Sequence, residues 1–270
     1  MLHVTVLTLF PEMLSGALTG SILGRAQTQG VLSVRLVNIR DYAGGRHGQV
    51  DDAPYGGGPG MVMKPDVVQR ALAASVVDRP PGHVVFFTPQ GRRFAQQDAR
   101  RLAGCDHLVL VCGHYEGVDE RFVGCCVDEE LSIGDFVLTG GEIPALAVID
   151  AVARMLPGVV GTRESVEQDS FAHGLLDHPH YTRPVEWQGY PVPGVLCSGH
   201  HGAIAAWRRR HALLRTLLRR PDLLPSALLE KAERTVLGAL ALALDEMMEE
   251  RDEMGQTGHG VCTGQYQEGN

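Results

Sequence analysis

The densest set of groups able to do chemistry lies between residues 109 and 144. His114, Tyr115, Glu116, Asp119, Glu120 and Arg121 follow an apolar run, Leu108 to Cys112, that fits a buried strand and breaks at Gly113. Ser132-Ile133-Gly134-Asp135, Phe136-Val137-Leu138 and Thr139-Gly140-Gly141-Glu142 come next, ahead of a helical pattern. Strand end, glycine, polar cluster, strand end, glycine pair and helix is how an open α/β sheet builds a ligand crevice at its strand ends. Two other loops compete for attention. Arg40 to Met63 mixes Arg46, His47, Asp51 and Asp52 with the run Gly56 to Gly60, which could cradle a phosphate but lacks the lysine and hydroxyl of a P-loop. Thr88-Pro89-Gln90-Gly91 follows a second buried strand, Val84 to Phe87.

The elements that must position these groups alternate along the chain. His3 to Phe10 and Val31 to Ile39 are predicted strands, and Pro11-Glu12 opens a helix. A second helix spans Ser21 to Gln27. Lys64 to Val76 and Phe94 to Ala103 carry helical spacing, as does the segment from Gly141 to Leu156 with Pro144 in its first turn. This is an α/β domain with a mainly parallel sheet. Val159 to Gln168 loses periodicity and reads as a linker, and Asp169 to Val195 is rich in proline, histidine and aromatics. Two helical stretches, His200 to Arg219 and Pro225 to Glu250, make a small helical second domain. The predicted division is 1–158, a linker at 159–170, 171–245, and an acidic end with a disordered tail at 246–270.

Composition narrows the class. A chain of 270 residues with 44% apolar content can build a real core. The net charge of -8 argues against a nucleic-acid partner, but the charge is uneven: Arg208, Arg209, Arg210, Arg215, Arg219 and Arg220 cluster without an acid, whereas Asp245 to Glu253 is acidic. The six cysteines show no metal-ligand spacing and read as reduced thiols. His173, His178, His180 and His200 match no zinc motif and read as packing residues. No apolar run approaches membrane-spanning length, and the N-terminus lacks a signal-peptide pattern, so a soluble cytoplasmic protein is expected.

LFPEM at 9–13, VDD-PYGGGPGM at 50–61, TPQG at 88–91, VCGHYEGVDER at 111–121, SIGDFVLTGGE-PA at 132–145, DSFA-GLLD-PHYTRP at 169–184, VP-VL-SG-H at 192–201 and RRP-LL at 219–224 together resemble the bacterial tRNA (guanine-N1)-methyltransferase family, TrmD. The resemblance runs from about residue 1 to about residue 245. It implies a SPOUT-type fold with a deep trefoil knot in its sheet, a homodimer with active sites at the subunit interface, and methylation of N1 of the guanosine at tRNA position 37, just 3′ of the anticodon. It also implies S-adenosylmethionine as methyl donor and a magnesium ion. Cofactor contacts would come from Phe86, Phe87, Thr88, Pro89 and Gly91, from Gly113, Tyr115, Glu116 and Gly117, and from Ser132, Ile133, Gly134, Phe136, Val137, Leu138, Gly140, Gly141 and Pro144, with Glu116 also the candidate metal ligand. Glycines there would let backbone reach a flat adenine while Ile133, Phe136, Leu138 and Pro144 enclose its faces; tight turns at strand ends are the alternative.

The resemblance assigns Asp169 as general base and Arg154 as partner of guanine O6. Guanine N1 carries a proton at neutral pH, so a carboxylate must accept it while a guanidinium steadies charge developing on O6. An N-cap for Asp169 and a helix-end cation for Arg154 are the structural alternatives. RNA contacts would come from Arg46, His47 and Asp51 and from Arg208, Arg209, Arg215, Arg219 and Arg220 along one helix. A nucleotide-binding oxidoreductase or kinase is disfavoured by the missing GxGxxG and P-loop lysine, and a non-catalytic RNA-binding module by the intact pair and loops.

Overall fold

The computed structural model describes residues 1–45, 48–161 and 169–238. The chain divides into two compact units, Met1–Gln168 and Asp169–Asn270. The strands of the first are β1 (Leu2–Thr8), β2 (Leu32–Asn38), a short antiparallel pair β3 (Asp51–Asp52) and β4 (Val62–Met63), β5 (His83–Arg93), β6 (His107–Val111) and β7 (Glu129–Ser132). Five form one sheet in the order β2-β1-β6-β5-β7, every pairing parallel. Strands buried on both faces read as near-continuous apolar runs, which is why β6 is buried along its whole length.

Alternate residues of each strand face opposite layers. Val4, Val6, Val85, Phe87, Leu108 and Leu110 pack with α1 (Glu12–Thr19), α2 (Ser21–Thr28), α4 (Gln96–Leu102) and α6 (Glu142–Ala153). Leu7, Val37, Val84, Phe86, Val109 and Val111 pack with α3 (Pro65–Ser75) and α5 (Glu120–Cys126). Among the described residues no helix is long and apolar enough to cross a membrane.

The structure corrects several expectations. Residues 88–91 are not a loop that ends a strand: β5 runs on to Arg93, and Leu131 of β7 faces both Phe87 and Arg92, so the four residues between bulge out of the ladder. Gly91 is required by this return, since a Cβ there would lie 2.6 Å from the backbone of Glu130 and Leu131. The weakly apolar stretch between Arg121 and Ser132, for which the sequence gives no helical signal, belongs from Glu120 to Cys126 to helix α5, capped by Asp119 through the Arg121 N–H. β7 ends at Ser132, and 133–141 is loop.

Around the outer end of β5, Asp98 anchors α4. Its carboxylate accepts two hydrogen bonds from Arg92, at 2.7 and 2.8 Å, and one from the Ala95 N–H at 2.9 Å. Arg101 and His83 complete the network on Glu129. Burial pushes the Asp98 carboxyl up, but the Arg92 hydrogen bonds, the Ala95 N–H and the charges of Arg92 and Arg101 outweigh it and hold it below the usual carboxylate range. Glu129 is lowered in the same sense, burial again being overcome by Arg101 and His83. A carboxylate with a depressed folded pKa contributes stability that is complete above its unfolded pKa and lost as pH falls through the folded value. Asp98→Ala is therefore expected to cost about 2 kcal/mol at pH 7, reduced from the fully buried case because Arg92 is half exposed. The deficit should shrink below about pH 4. Urea melts of both proteins across pH check this; a deficit that is constant with pH would sink it.

In the second unit β8 (Glu186–Trp187) and β9 (Tyr190–Pro191) make a hairpin, and α7 (His201–Arg219) is the long helix. The helix expected over 225–250 starts only at 231, and the part of that expectation past 238 lies outside the described residues, as does the tail. Pro225 sits inside a 3-10 turn, Pro221–Ser226, and Ala227 after it is extended and buried. The Leu228 N–H is donated to the His173 carbonyl at 3.2 Å, which holds the chain out of helix there.

Candidate active site

Three segments enclose a cavity of about 240 Å³: Phe86 to Pro89, where β5 bulges beside the end of β6, Gly113 to Gly117 after β6, and Leu131 to Gly141 from the end of β7, with Pro144 of α6 closing one side. This is the position at which open α/β sheets bind ligands. Every residue expected to touch the cofactor lines this cavity except Gly91, which serves the close approach of β5 to β7 instead. Sequence reasoning did not assign His114, Leu131 and Thr139, which also line it. Tyr115, Phe136 and Val137 are large apolar or aromatic side chains left 48%, 53% and 84% exposed there, so a ligand or partner has surface to cover.

The glycines act one step away from any ligand. A Cβ on Gly113 would meet the Phe86 ring at 2.9 Å, one on Gly140 would overlap the His114 imidazole, and one on Gly141 would stand 2.6 Å from the Cys112 Cα. They let the loops press on one another and so set the shape of the cavity. The Gly141 N–H is donated to the Gly113 carbonyl at 3.0 Å, stitching the second and third loops together. The glycine-rich loop joins them from outside: the Glu116 N–H bonds the Met61 carbonyl at 3.0 Å, and the Met63 N–H bonds the Gly117 carbonyl at 2.9 Å. A Cβ on Gly60 would overlap the Glu116 side chain, which is the lone carboxylate among the lining residues.

Beneath the cavity, Glu142 is 2% exposed and its carboxylate is forked. Oε1 accepts from the Thr8 hydroxyl at 2.6 Å and Oε2 pairs with His114 Nε2 at 2.8 Å. Burial and the charge of Glu142 push the neighbouring Cys112 thiol well up, so it stays neutral and is no nucleophile.

The remaining expected residues do not line this cavity. Arg154 caps the C-terminus of α6 in the first unit, its N–H on the Asp150 carbonyl, and Asp169 opens the second unit, its carbonyl accepting the Ala172 N–H. No described helix starts at Asp169, so the cap alternative has no helix to serve. Asp51 lies in β3 opposite Met63, whereas Arg46 and His47 fall outside the described residues.

The arginines of α7 do not form one stripe. At ~100° per residue, Arg208, Arg215 and Arg219 share a face, and Arg209 and Arg210 lie off it. Arg209 is committed to Glu233, at 2.7 and 2.8 Å, and to the Leu228 carbonyl, and Arg220 to Asp222. Asp177, His178 and His180 converge, their potential ligand atoms within 4.8 Å of one another, which sequence spacing did not reveal. His178 Nδ1–H donates to the Pro179 carbonyl and His180 Nε2 pairs with Asp177 at 2.8 Å, so hydrogen bonding accounts for the cluster.

Residues 2–226 match the family model for tRNA (Guanine-1)-methyltransferase TrmD. A tRNA (guanine-N(1)-)-methyltransferase of Magnetococcus marinus is 59% identical over 91% of this chain and 98% of its own length. Proteins of the same name from Desulforudis audaxviator and Geobacter sulfurreducens are 55% and 54% identical, over 90% and 87% of this chain and 98% and 96% of their own lengths. With a parallel sheet, a strand-end cavity built from the matched motifs and identity of this order over nearly the whole chain, the protein belongs to the TrmD family of tRNA (guanine-1)-methyltransferases.

Proposed function

We propose that the chain transfers a methyl group from S-adenosylmethionine to N1 of the guanosine at position 37 of tRNA. The observation that carries this reading is the cavity: two strand-end loops and the bulged part of β5, with apolar walls at Ile133, Phe136, Leu138 and Pro144 and backbone amides and carbonyls between them, suit an adenine and its ribose. S-adenosylmethionine supplies the methyl group when bound. Glu116 is the cavity residue that would hold a magnesium ion, a single carboxylate with water and substrate oxygens being a usual share for that ion.

Asp169 accepts the N1 proton as N1 takes up the methyl carbon, and Arg154 donates to O6, where the negative charge of the deprotonated ring collects. The first unit is the catalytic domain and the second the tRNA-binding domain, joined near 159–170. A trefoil knot is proposed on family membership and on the strand order, in which β6 is inserted between β1 and β5 before β7 is added beyond β5. A homodimer is supported by an apolar groove on α1, α2 and α6 that includes Ile22 and Leu146 beside the half-exposed Ile143. A tRNA substrate implies a cytoplasmic enzyme.

Methyl transfer from labelled S-adenosylmethionine to a transcript with guanine 3′ of the anticodon, set beside one with adenine there, tests the reading. Transfer to the first alone is expected; equal labelling of both would reject N1 of that guanine as the target.

RNA binding is expected to use the shared face of α7. Arg208→Ala with Arg219→Ala should weaken tRNA binding and lower the slope of log K against log salt by about one for each phosphate no longer neutralised. Arg209→Ala should instead mainly lower thermal stability, because its guanidinium is held by Glu233. Filter binding across salt separates the two, and an unchanged slope in the double variant would remove this face from the interface.

A further inference from the structure

We infer that Glu142 is a positioning residue for the methyl donor, acting through His114. The inference rests on the reading of the cavity as the S-adenosylmethionine site. Glu142 is the first residue of α6, so its backbone is fixed to the loop that ends at Gly141. Its two carboxylate oxygens reach two other strand-end segments: Thr8, the last residue of β1, and His114, on the cavity loop after β6. One buried side chain thus ties three strand-end segments together.

Each contact is hard to replace. Glu142 is 2% exposed, so removing it leaves a buried hydroxyl and a nearly buried imidazole without their partner, at the full desolvation cost of each. The Thr8 hydroxyl that donates to Glu142 also accepts the Phe10 N–H at 2.9 Å, and the Phe10 ring packs on His114 with centroids 4.8 Å apart. His114 therefore sits between Phe10, Glu142 and Gly140, whose missing Cβ leaves the space the imidazole fills. His114 lines the cavity, and its backbone forms a bridge with Gly140 on the opposite loop. The N-terminus of α6 favours a carboxylate at this position. Shifting His114 moves both the 113–117 and the 139–141 loops, every residue of which lines the cavity.

A glutamine can preserve this geometry. Its oxygen accepts from Thr8 and its amide donates to His114 Nε2 once the imidazole carries its proton on Nδ1. An alanine cannot. The test measures S-adenosylmethionine binding by calorimetry, initial rates of methyl transfer, and melting temperature for the full-length protein and for Glu142→Ala, Glu142→Gln and His114→Ala.

Glu142→Ala and His114→Ala are each expected to weaken S-adenosylmethionine binding about tenfold or more, to raise KM for it in parallel, and to leave kcat at saturating donor within about threefold. A variant combining Glu142→Ala with His114→Ala, measured alongside, should bind no worse than either single one, because both remove the same constraint. Glu142→Gln should recover most of the affinity. A lowered melting temperature with donor affinity unchanged in both single variants would make Glu142 merely structural and overturn the inference. So would a glutamine protein as defective as the alanine one, since charge rather than geometry would then be at work. If Glu142→Ala does not fold, His114→Ala decides by the same affinity criterion. Absence of donor binding by the unaltered protein would overturn the cavity reading itself, and is distinguished by that control.

Discussion

Asp169→Asn is expected to lower methyl transfer by about 10²–10⁴-fold while S-adenosylmethionine and tRNA still bind. The asparagine keeps the size and a hydrogen-bonding oxygen but cannot take a proton. Guanine N1 is protonated at neutral pH, so methylation without a base would pass through a ring bearing both the proton and the methyl group. Loss is therefore expected in kcat rather than in KM for either substrate, the pattern of an interaction made only in the transition state. The residual rate of the asparagine protein should climb with pH, as solvent removes the N1 proton that the side chain no longer accepts. Asp169→Glu should retain part of the activity. Single-turnover measurements with saturating donor give these rates directly. An asparagine protein within about threefold of the original would show that Asp169 is not the base, and would return it to a structural role at the start of the second unit.

How much of this could be seen in the sequence depends on whether the signal was local. Four of the five parallel strands were, since a strand covered on both faces needs a continuous apolar run, as Leu108 to Cys112 has, whereas β7, at Glu129–Ser132, has none. Two of the cavity segments were marked by glycine, Gly113 directly after that run and Gly140-Gly141 directly ahead of α6, and the third by the apolar run Val84 to Phe87 that it overlaps. Helix α5 was not, because Phe122, Val123, Gly124, Cys125 and Cys126 are weak helix formers and only tertiary packing of Phe122 and Val123 against α3 and the sheet makes them helical. The return of β5 to β7 was hidden too. Pro89 and Gly91 are turn residues by type, and the chain turns there only to rejoin the same neighbour.

Side-chain partnerships across the fold were out of reach altogether. Thr8 and Glu142 are 134 positions apart, and nothing in the run TGGE says that its carboxylate is buried under a different loop. Arg209 looked like its neighbours Arg208 and Arg210 until Glu233 was placed beside it. Composition recorded a basic stretch there; geometry divides it into a face for solution and an internal clamp. The glycines were found for a partly different reason than the one they serve. Their number suggested backbone approach to a ligand, whereas at 113, 140 and 141 the space is taken by protein.

Packing of this kind makes the second large effect a steric one. Gly141→Ala is expected to weaken S-adenosylmethionine binding by about 10–100-fold, the equivalent of about 1.4–3 kcal/mol of overpacking. The backbone at Gly141 has φ of -82°, which any residue adopts, so the cost is steric and not conformational. The added Cβ would stand 2.6 Å from the Cys112 Cα and 3.2 Å from the Gly113 nitrogen, both backbone atoms that no rotamer change can clear. Relief requires the two loops to part, and that breaks the Gly141 N–H bond to the Gly113 carbonyl and opens the cavity between them. Gly124→Ala is the matched control. It lies in α5 with nothing within 4 Å of the place a Cβ would take, so it should be neutral or stabilise by about 0.5–1 kcal/mol and leave donor binding alone. Calorimetric titration of both variants, with melting temperatures alongside, compares one methyl group in a packed loop with one in open space. If Gly141→Ala binds the donor as tightly as Gly124→Ala does, the loops are free to move apart, and close packing of the glycine backbone is not what shapes the site.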